Sequence, residues 1–230
     1  MKKIKLLILT VMLASAGSMS AQKVGLKSNG WQSVWFHWNP SKVKSEYSQF
    51  NNNHFNSIAL GYSRAFGVSK SLPLYLEGGL GVQYSYDKET ETLGQNEAQT
   101  QTLYETIKYK GLSAQVPVKL MYRWDIPSSK LALMPYVGAN FRFNILATQR
   151  IEDVGIEGQE IAYKKRSSRD CFDDDDMVST WNRFQAGWEF GFKINYNRKC
   201  TLGFGWGRDF NDLSKNSKVR YREITLEYNF

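Results

Sequence analysis

Apolar and polar residues alternate with a period of two along most of this chain. In NSIALGYSRAFG, Ile58, Leu60, Tyr62 and Phe66 are interleaved with Ser57, Ala59, Gly61, Ser63 and Ala65. LPLYLEGGLGVQYSY sets Leu74, Leu76, Leu80, Val82, Tyr84 and Tyr86 against Glu77, Gly79, Gly81, Gln83 and Ser85. LSAQVPVKLMYRW, LMPYVGANFRFNI, FQAGWEFGFKINY, LGFGWGRDF and the C-terminal REITLEYNF repeat the pattern. A period of two places successive side chains on opposite faces of a strand. These seven segments, with an irregular one inside VGLKSNGWQSVWFHW, predict eight strands.

The predicted strands run to roughly ten residues or more, which exceeds the usual globular strand and matches a tilted bilayer crossing. Their connections sort into two kinds. SKS, IPSSK and NRK are tight, whereas residues 39–54, 87–110, 147–179 and 211–218 predict long loops. Short turns at one end and long loops at the other are the arrangement of membrane barrels. Tyr84, Tyr86, Tyr122, Trp124, Tyr196, Tyr228 and Phe230 fall toward the ends of apolar faces, where amphipathic rings meet a bilayer interface.

A soluble sandwich or lipocalin-like barrel would turn its apolar face inward and carry long charged residues on the other. Here the other face is rich in glycine, with Gly61, Gly79, Gly81, Gly138, Gly187, Gly191, Gly203, Gly205 and Gly207, which suits a crowded interior. The expected fold is therefore all-β: an eight-stranded antiparallel transmembrane up-and-down β-barrel.

Composition changes this picture in three places. A basic head (Lys2, Lys3, Lys5), a short apolar run (Leu6 to Ala14) and the small residues of SAGSMSAQ predict a secretory signal peptide over 1–21, leaving 22–230 as one barrel domain. Its removal lowers the formal charge from +8 to +5, a mild excess that predicts no nucleic-acid partner. Cys171 and Cys200 are too few for a disulfide framework, and the strand order puts them at opposite ends of the barrel. Mean hydropathy is negative (−0.48), which a membrane barrel tolerates because its strands show lipid every second residue.

The inward faces collect charges: Lys27, Lys119, Arg123, Arg142, Arg183 and Lys193 against Glu77, Glu189, Asp209, Glu223 and Glu227. An eight-stranded barrel has an interior that side chains fill, and buried charges must be paired. The expectation is a salt-bridged plug; a narrow polar path is the alternative, which near-balance of sign disfavours. His37 and His54 flank the first long loop near Ser33 and Ser57, but no catalytic motif surrounds them, so no catalytic residue and no cofactor is expected. In KKRSSRDCFDDDD, Asp173, Asp174, Asp175 and Asp176 are hard oxygen donors for calcium, though the stretch lacks the glycine and final Glu of an EF-hand. Beside them, Lys164, Lys165, Arg166 and Arg169 could meet lipopolysaccharide phosphates.

KVGLK after the leader, LSAQVPVKLMYRW with its internal Pro, and LALMPYVGANFRF with its P-Y-V-G start resemble the small outer-membrane barrels of the Bacteroidota called PorT-like. Trp31, Trp35 and Trp38 depart from the glycine-rich first strand usual in that group. The resemblance implies a fold and an outer-membrane location, and transfers no catalytic residues. It also implies that Tyr228 and Phe230, ending an alternating last strand, form a signal for the barrel assembly machinery. The expected role is structural, display or binding through outer loops, by a monomeric barrel with periplasmic termini in contact with outer-membrane lipid and lipopolysaccharide. The alternatives are an accessory subunit of a secretion or transport complex of type IX kind, with an envelope protein as partner, or a narrow porin.

Overall fold

A computed structural model describes residues 30–45, 54–69, 71–95, 101–157, 160–173 and 180–230. The leader and Lys27 lie outside the described residues. Every regular element described is a strand: β1 (Gln32–Ser45), β2 (His54–Gly67), β3 (Leu74–Gln95), β4 (Gln101–Tyr122), β5 (Trp124–Asp125), β6 (Leu131–Glu157), β7 (Glu160–Asp170), β8 (Phe184–Tyr196), β9 (Cys200–Asp209) and β10 (Ser217–Asn229).

Eight of them close a ring in the order β1-β2-β3-β4-β6-β8-β9-β10, all antiparallel, and β10 pairs back onto β1. The seam sets Ser33 opposite Asn229 and Val43 opposite Val219. Closure removes both sheet edges at this level, so every ring strand has two neighbours. β5 is a short piece beside the IPSSK turn, and β7 pairs with β6 alone.

Burial runs opposite to that of a soluble domain. Lys119 and Lys193 are each 1% exposed, whereas Leu60 is 62% and Val137 59% exposed. An apolar exterior around a polar interior is what a bilayer selects, and it excludes the soluble alternative. No described helix is long and apolar enough to cross a membrane; the crossing is made by strands.

The turn end matches expectation. The NRK turn holds Asn197 and Arg198 at φ of 52° and 61°, a left-handed pair that closes the β8–β9 hairpin. The long-loop end is different. β1 starts later than expected and runs on through Pro40 to Ser45. Most of 87–110 is strand, because β3 and β4 continue as a ribbon to Gln95 and Gln101. β6 likewise continues to Glu157 and turns back as β7. A bulge near Ile145 opposite Leu112/Ser113 shifts the register, so that Leu146 faces out and Ala147 and Gln149 face in.

Candidate functional site

The lumen is built from strand parity. On β1 the inward positions are Ser33, Trp35, His37 and Asn39, all buried. A tryptophan fits inside so narrow a barrel because Gly61 and Gly81, paired across β2 and β3, leave room for its ring. A Cβ would stand 2.1 Å from that ring at Gly61 and 2.2 Å at Gly81. Gly191 and Gly205, also paired, make the same space for Tyr136, whose hydroxyl would lie 2.3 Å from a Cβ on Gly205. Trp35 stacks on His37 with centroids 4.0 Å apart.

Charges meet across the lumen at this level. Lys119 Nζ on β4 donates to Glu223 Oε1 on β10 at 2.9 Å, joining strands on opposite sides of the ring. It also lies 3.5 Å from Glu189 Oε1 on β8. Lys193 Nζ donates to Glu77 Oε1 at 2.9 Å and to Glu227 Oε1 at 2.6 Å. Arg142 pairs with Asp209, and Gln185 donates to the same carboxylate at 3.0 Å. His37 Nδ1 stands 3.1 Å from Glu223 Oε2. Tyr136 lies beneath both lysines, with Nζ of Lys119 at 4.7 Å and of Lys193 at 5.9 Å from its ring centroid. Ions taken from water survive only when paired and hydrogen-bonded, and here opposing walls supply the partners.

Of the expected inward charges, ten lie among the described residues and eight of these take part: Glu77, Lys119, Arg142, Glu189, Lys193, Asp209, Glu223 and Glu227. Two do not. Arg123 sits at the turn-end mouth, with Nε donating to exposed Asp125 at 2.8 Å. Arg183 is exposed just before β8 and lies 4.1 Å over the Phe172 ring, because the strand begins one residue too late to turn it inward. His37 was a missed member of the network. Counting by twos from Ser33 through Trp35 finds it; its nearness in sequence to the first loop concealed it.

An apolar cap of Val43, Phe55, Leu213 and Val219 closes the lumen at the long-loop end; Tyr109 and Trp181, stacked on each other at 5.7 Å, meet Phe55 edge-on at 5.8 Å. Between cap and charges lies a cavity of about 40 Å³. Beyond the cap, β3, β4, β6 and β7 stand as a four-stranded sheet whose two faces differ in charge. One carries Lys88, Lys108, Lys110, Arg150, Lys164 and Arg166 around Glu152; the other carries Glu89, Glu91, Glu105 and Asp153, with Lys165 and Arg169 on its β7 side. Hydrogen bonds from Lys164 and Arg166 hold the Glu152 carboxyl down to about 2.

Asp173 is exposed, whereas Asp174, Asp175 and Asp176 lie outside the described residues. Among the described residues no three metal-ligating groups converge. His54 is exposed and separated along the sheet from buried His37. Ser33 Oγ bonds to Ser63 Oγ at 2.9 Å, and Ser57 Oγ donates to Ser85 Oγ at 2.8 Å. Cys171 is buried at the long-loop end and Cys200 exposed at the turn end, both free. Tyr228 and Phe230 point outward at the turn end, and the Phe230 amide donates to the Gln32 carbonyl at 2.9 Å.

A closed, inside-out ring of eight antiparallel strands with a polar lumen defines a transmembrane β-barrel. The chain matches the family described as outer membrane protein beta-barrel domain over residues 23–214, and it belongs to that family. Its location is accordingly the outer membrane of a Gram-negative bacterium. It is similar in structure to Neisserial surface protein A, at 13% identity and a TM-score of 0.44, over 86% of this chain and 97% of that one. It is also similar to Ail, the attachment invasion locus protein of Yersinia pestis, at 12% identity and a TM-score of 0.41, over 87% and 99%. A third likeness is to the outer membrane enzyme PagL, at 10% identity and a TM-score of 0.40, over 85% and 98%. No curated protein matches the chain.

Proposed function

We propose that this protein is a monomeric, non-enzymatic outer-membrane anchor with a side-chain-filled lumen, which presents its projecting sheet to a partner at the cell surface. The observation that carries this reading is the four-stranded extension of β3, β4, β6 and β7 beyond the ring. Strand pairing there needs no lipid, so its retention builds a rigid platform, and one edge of β7 has no strand beside it among the described residues. An open edge and two faces of unlike charge, one basic and one mainly acidic, are features that recognise another protein.

In this reading residues 1–21 are a cleaved leader, both termini are periplasmic, and Tyr228 and Phe230 serve recognition by the assembly machinery. The non-enzymatic reading is supported by His37, which is engaged inside the barrel by Trp35 and Glu223. The resemblance to PorT-like barrels, together with the open β7 edge, favours an accessory subunit of a secretion or transport complex as the second reading.

The test compares the full chain with a variant in which residues 89–105 and 151–169 are replaced by short hairpin turns. Both are expressed in the native envelope and crosslinked on intact cells. Partner capture that depends on the sheet supports the proposal. Equal capture by both, with normal heat-modifiable gel mobility, would sink it.

A further inference from the structure

Along β1, β9 and β10 the outward positions change from apolar to basic at one level. On β1, Val34, Phe36 and Trp38 give way to Lys42 and Lys44. On β10, Tyr228, Leu226 and Ile224 give way to Arg222, Arg220 and Lys218. On β9, Leu202, Phe204 and Trp206 give way to Arg208. Sheet register then sets Lys42 opposite Arg220, and Arg220 opposite Arg208. Directly opposed like charges destabilise a sheet. Among the described residues, the ion pair on this patch joins Lys218 to Asp212 at 3.9 Å, outside the row of three. Three cations held side by side without a carboxylate favour an anion from outside the chain.

The surroundings indicate what kind of anion. Trp188 lies opposite Arg208 and Trp206 opposite Arg222, with Phe190 stacked against both indoles at 5.5 and 5.7 Å. Pairing of β1 with β10 skips Asn39 and Pro40, where proline has no amide proton to give. A groove of about 690 Å³ opens there, lined by Lys42, His54, Trp188, Trp206, Arg208 and Arg220. It therefore straddles the border of the apolar band, with Trp188 at the end of the cation row and Trp206 one step below it. At that depth on a membrane wall the neighbours are lipid headgroups, and amphipathic aromatics mark the same boundary.

We infer that this groove binds the phosphorylated headgroup of a lipid in the leaflet at the long-loop end. Lys42, Arg208 and Arg220 take the phosphate oxygens, the guanidinium forks giving paired donors. Trp188 and Trp206 cover the upper part of the lipid below. This site lies on the barrel wall, apart from Lys164, Lys165, Arg166 and Arg169 on the β6–β7 hairpin. Naming the leaflet as the outer one rests on the proposed orientation; binding itself does not.

Native mass spectrometry of the full chain in detergent tests the inference, with diphosphoryl lipid A and its phosphate-free form as probes. The expected result is retention of the phosphorylated lipid and loss of the stripped one. Replacing Lys42→Gln, Arg208→Gln and Arg220→Gln together should weaken retention on the order of a hundredfold, and R220Q alone about fivefold. K130Q, R198Q and K199Q together, removing equal charge at the turn end, should change it less than twofold. Heat-modifiable mobility reports that each variant folds. Equal retention of the stripped lipid, or an unaffected triple variant, would overturn the inference. Displacement by millimolar inorganic phosphate would show a free-anion site and overturn the lipid assignment. External protease on intact cells tests orientation separately: with lipid binding intact but the long loops protected, the headgroup site stands and the surface-facing reading falls.

Discussion

Replacing Lys119 with methionine removes the cation that spans the barrel and leaves its shape nearly filled. Lys119 is 1% exposed, and it serves Glu223 at 2.9 Å, Glu189 at 3.5 Å and the Tyr136 ring at 4.7 Å. Removing one member of a buried pair costs about 3–5 kcal/mol, because the charge left behind is uncompensated. Here one substitution takes the cation from two carboxylates, of which Glu223 keeps His37 at 3.1 Å while Glu189 loses its ion pair, so a cost within that range, about 3–5 kcal/mol, is expected. The double variant K119M/E223Q removes the cation and one of the two carboxylates. It should recover about 2 kcal/mol or more relative to K119M, because a neutral polar pair costs less to bury than a lone ion. The assay is reversible urea unfolding from lipid vesicles, followed by tryptophan fluorescence. A cost below about 1 kcal/mol for K119M, or a double variant less stable than the single, would refute the reasoning that the pairing supports the fold.

Four further outcomes follow from the same geometry. Gly81→Ala should destabilise the barrel by about 1–3 kcal/mol, since its Cβ would meet the Trp35 ring at 2.2 Å, and by urea titration the same change should cost less in a W35A background, where the ring is gone. Deleting Phe230, or adding a charged tail after it, should reduce the heat-modifiable folded band, because the Phe230–Gln32 pairing closes the seam; a normal band would show the ending to be a strand and nothing more. Glu152 is lowered to about 2, so its ion pairs contribute above its ordinary range near 4.3 and are lost as pH falls through about 2. NMR should therefore detect opening of the β6–β7 hairpin in that window, and E152Q should remove the pH step. Burial pushes the Cys171 thiol up to about 12, so iodoacetamide at pH 8 should label exposed Cys200 well before Cys171; equal rates would contradict the burial.

The parts of this fold that face lipid were legible in the sequence, because a bilayer enforces apolar residues at alternate positions. Ile58 and Leu60 on β2, and Phe190 and Ile194 on β8, mark the wall without ambiguity. Inward parity likewise identified Glu77, Lys119, Lys193 and Glu227. What parity cannot give is which charges meet. Lys119 and Glu223 are partners because strand stagger brings opposite walls to one level, and stagger is set by registers such as Gln83↔Ser113 rather than by any local pattern. The sheet beyond the membrane was hidden for another reason. KETETLGQ keeps the period of two but alternates charge with threonine, and in QTLYETIKYK Glu105 breaks the alternate set of Leu103, Ile107 and Tyr109, so weakening of the apolar signal looked like loss of the strand. The bulge near Ile145 reverses parity within one strand, and a fixed count carried past it assigns the wrong face. Arg183 failed in the same way, being counted inward one residue before its strand began.

The account rests most heavily on a lumen closed by side chains from opposite walls. Single-channel recording of the purified full chain in planar lipid bilayers tests it directly. The expected trace is indistinguishable from bare lipid over hours at 100 mV, with K119M/E223Q at most flickering. Long-lived openings of uniform conductance from the unaltered protein would contradict the account and favour the narrow porin.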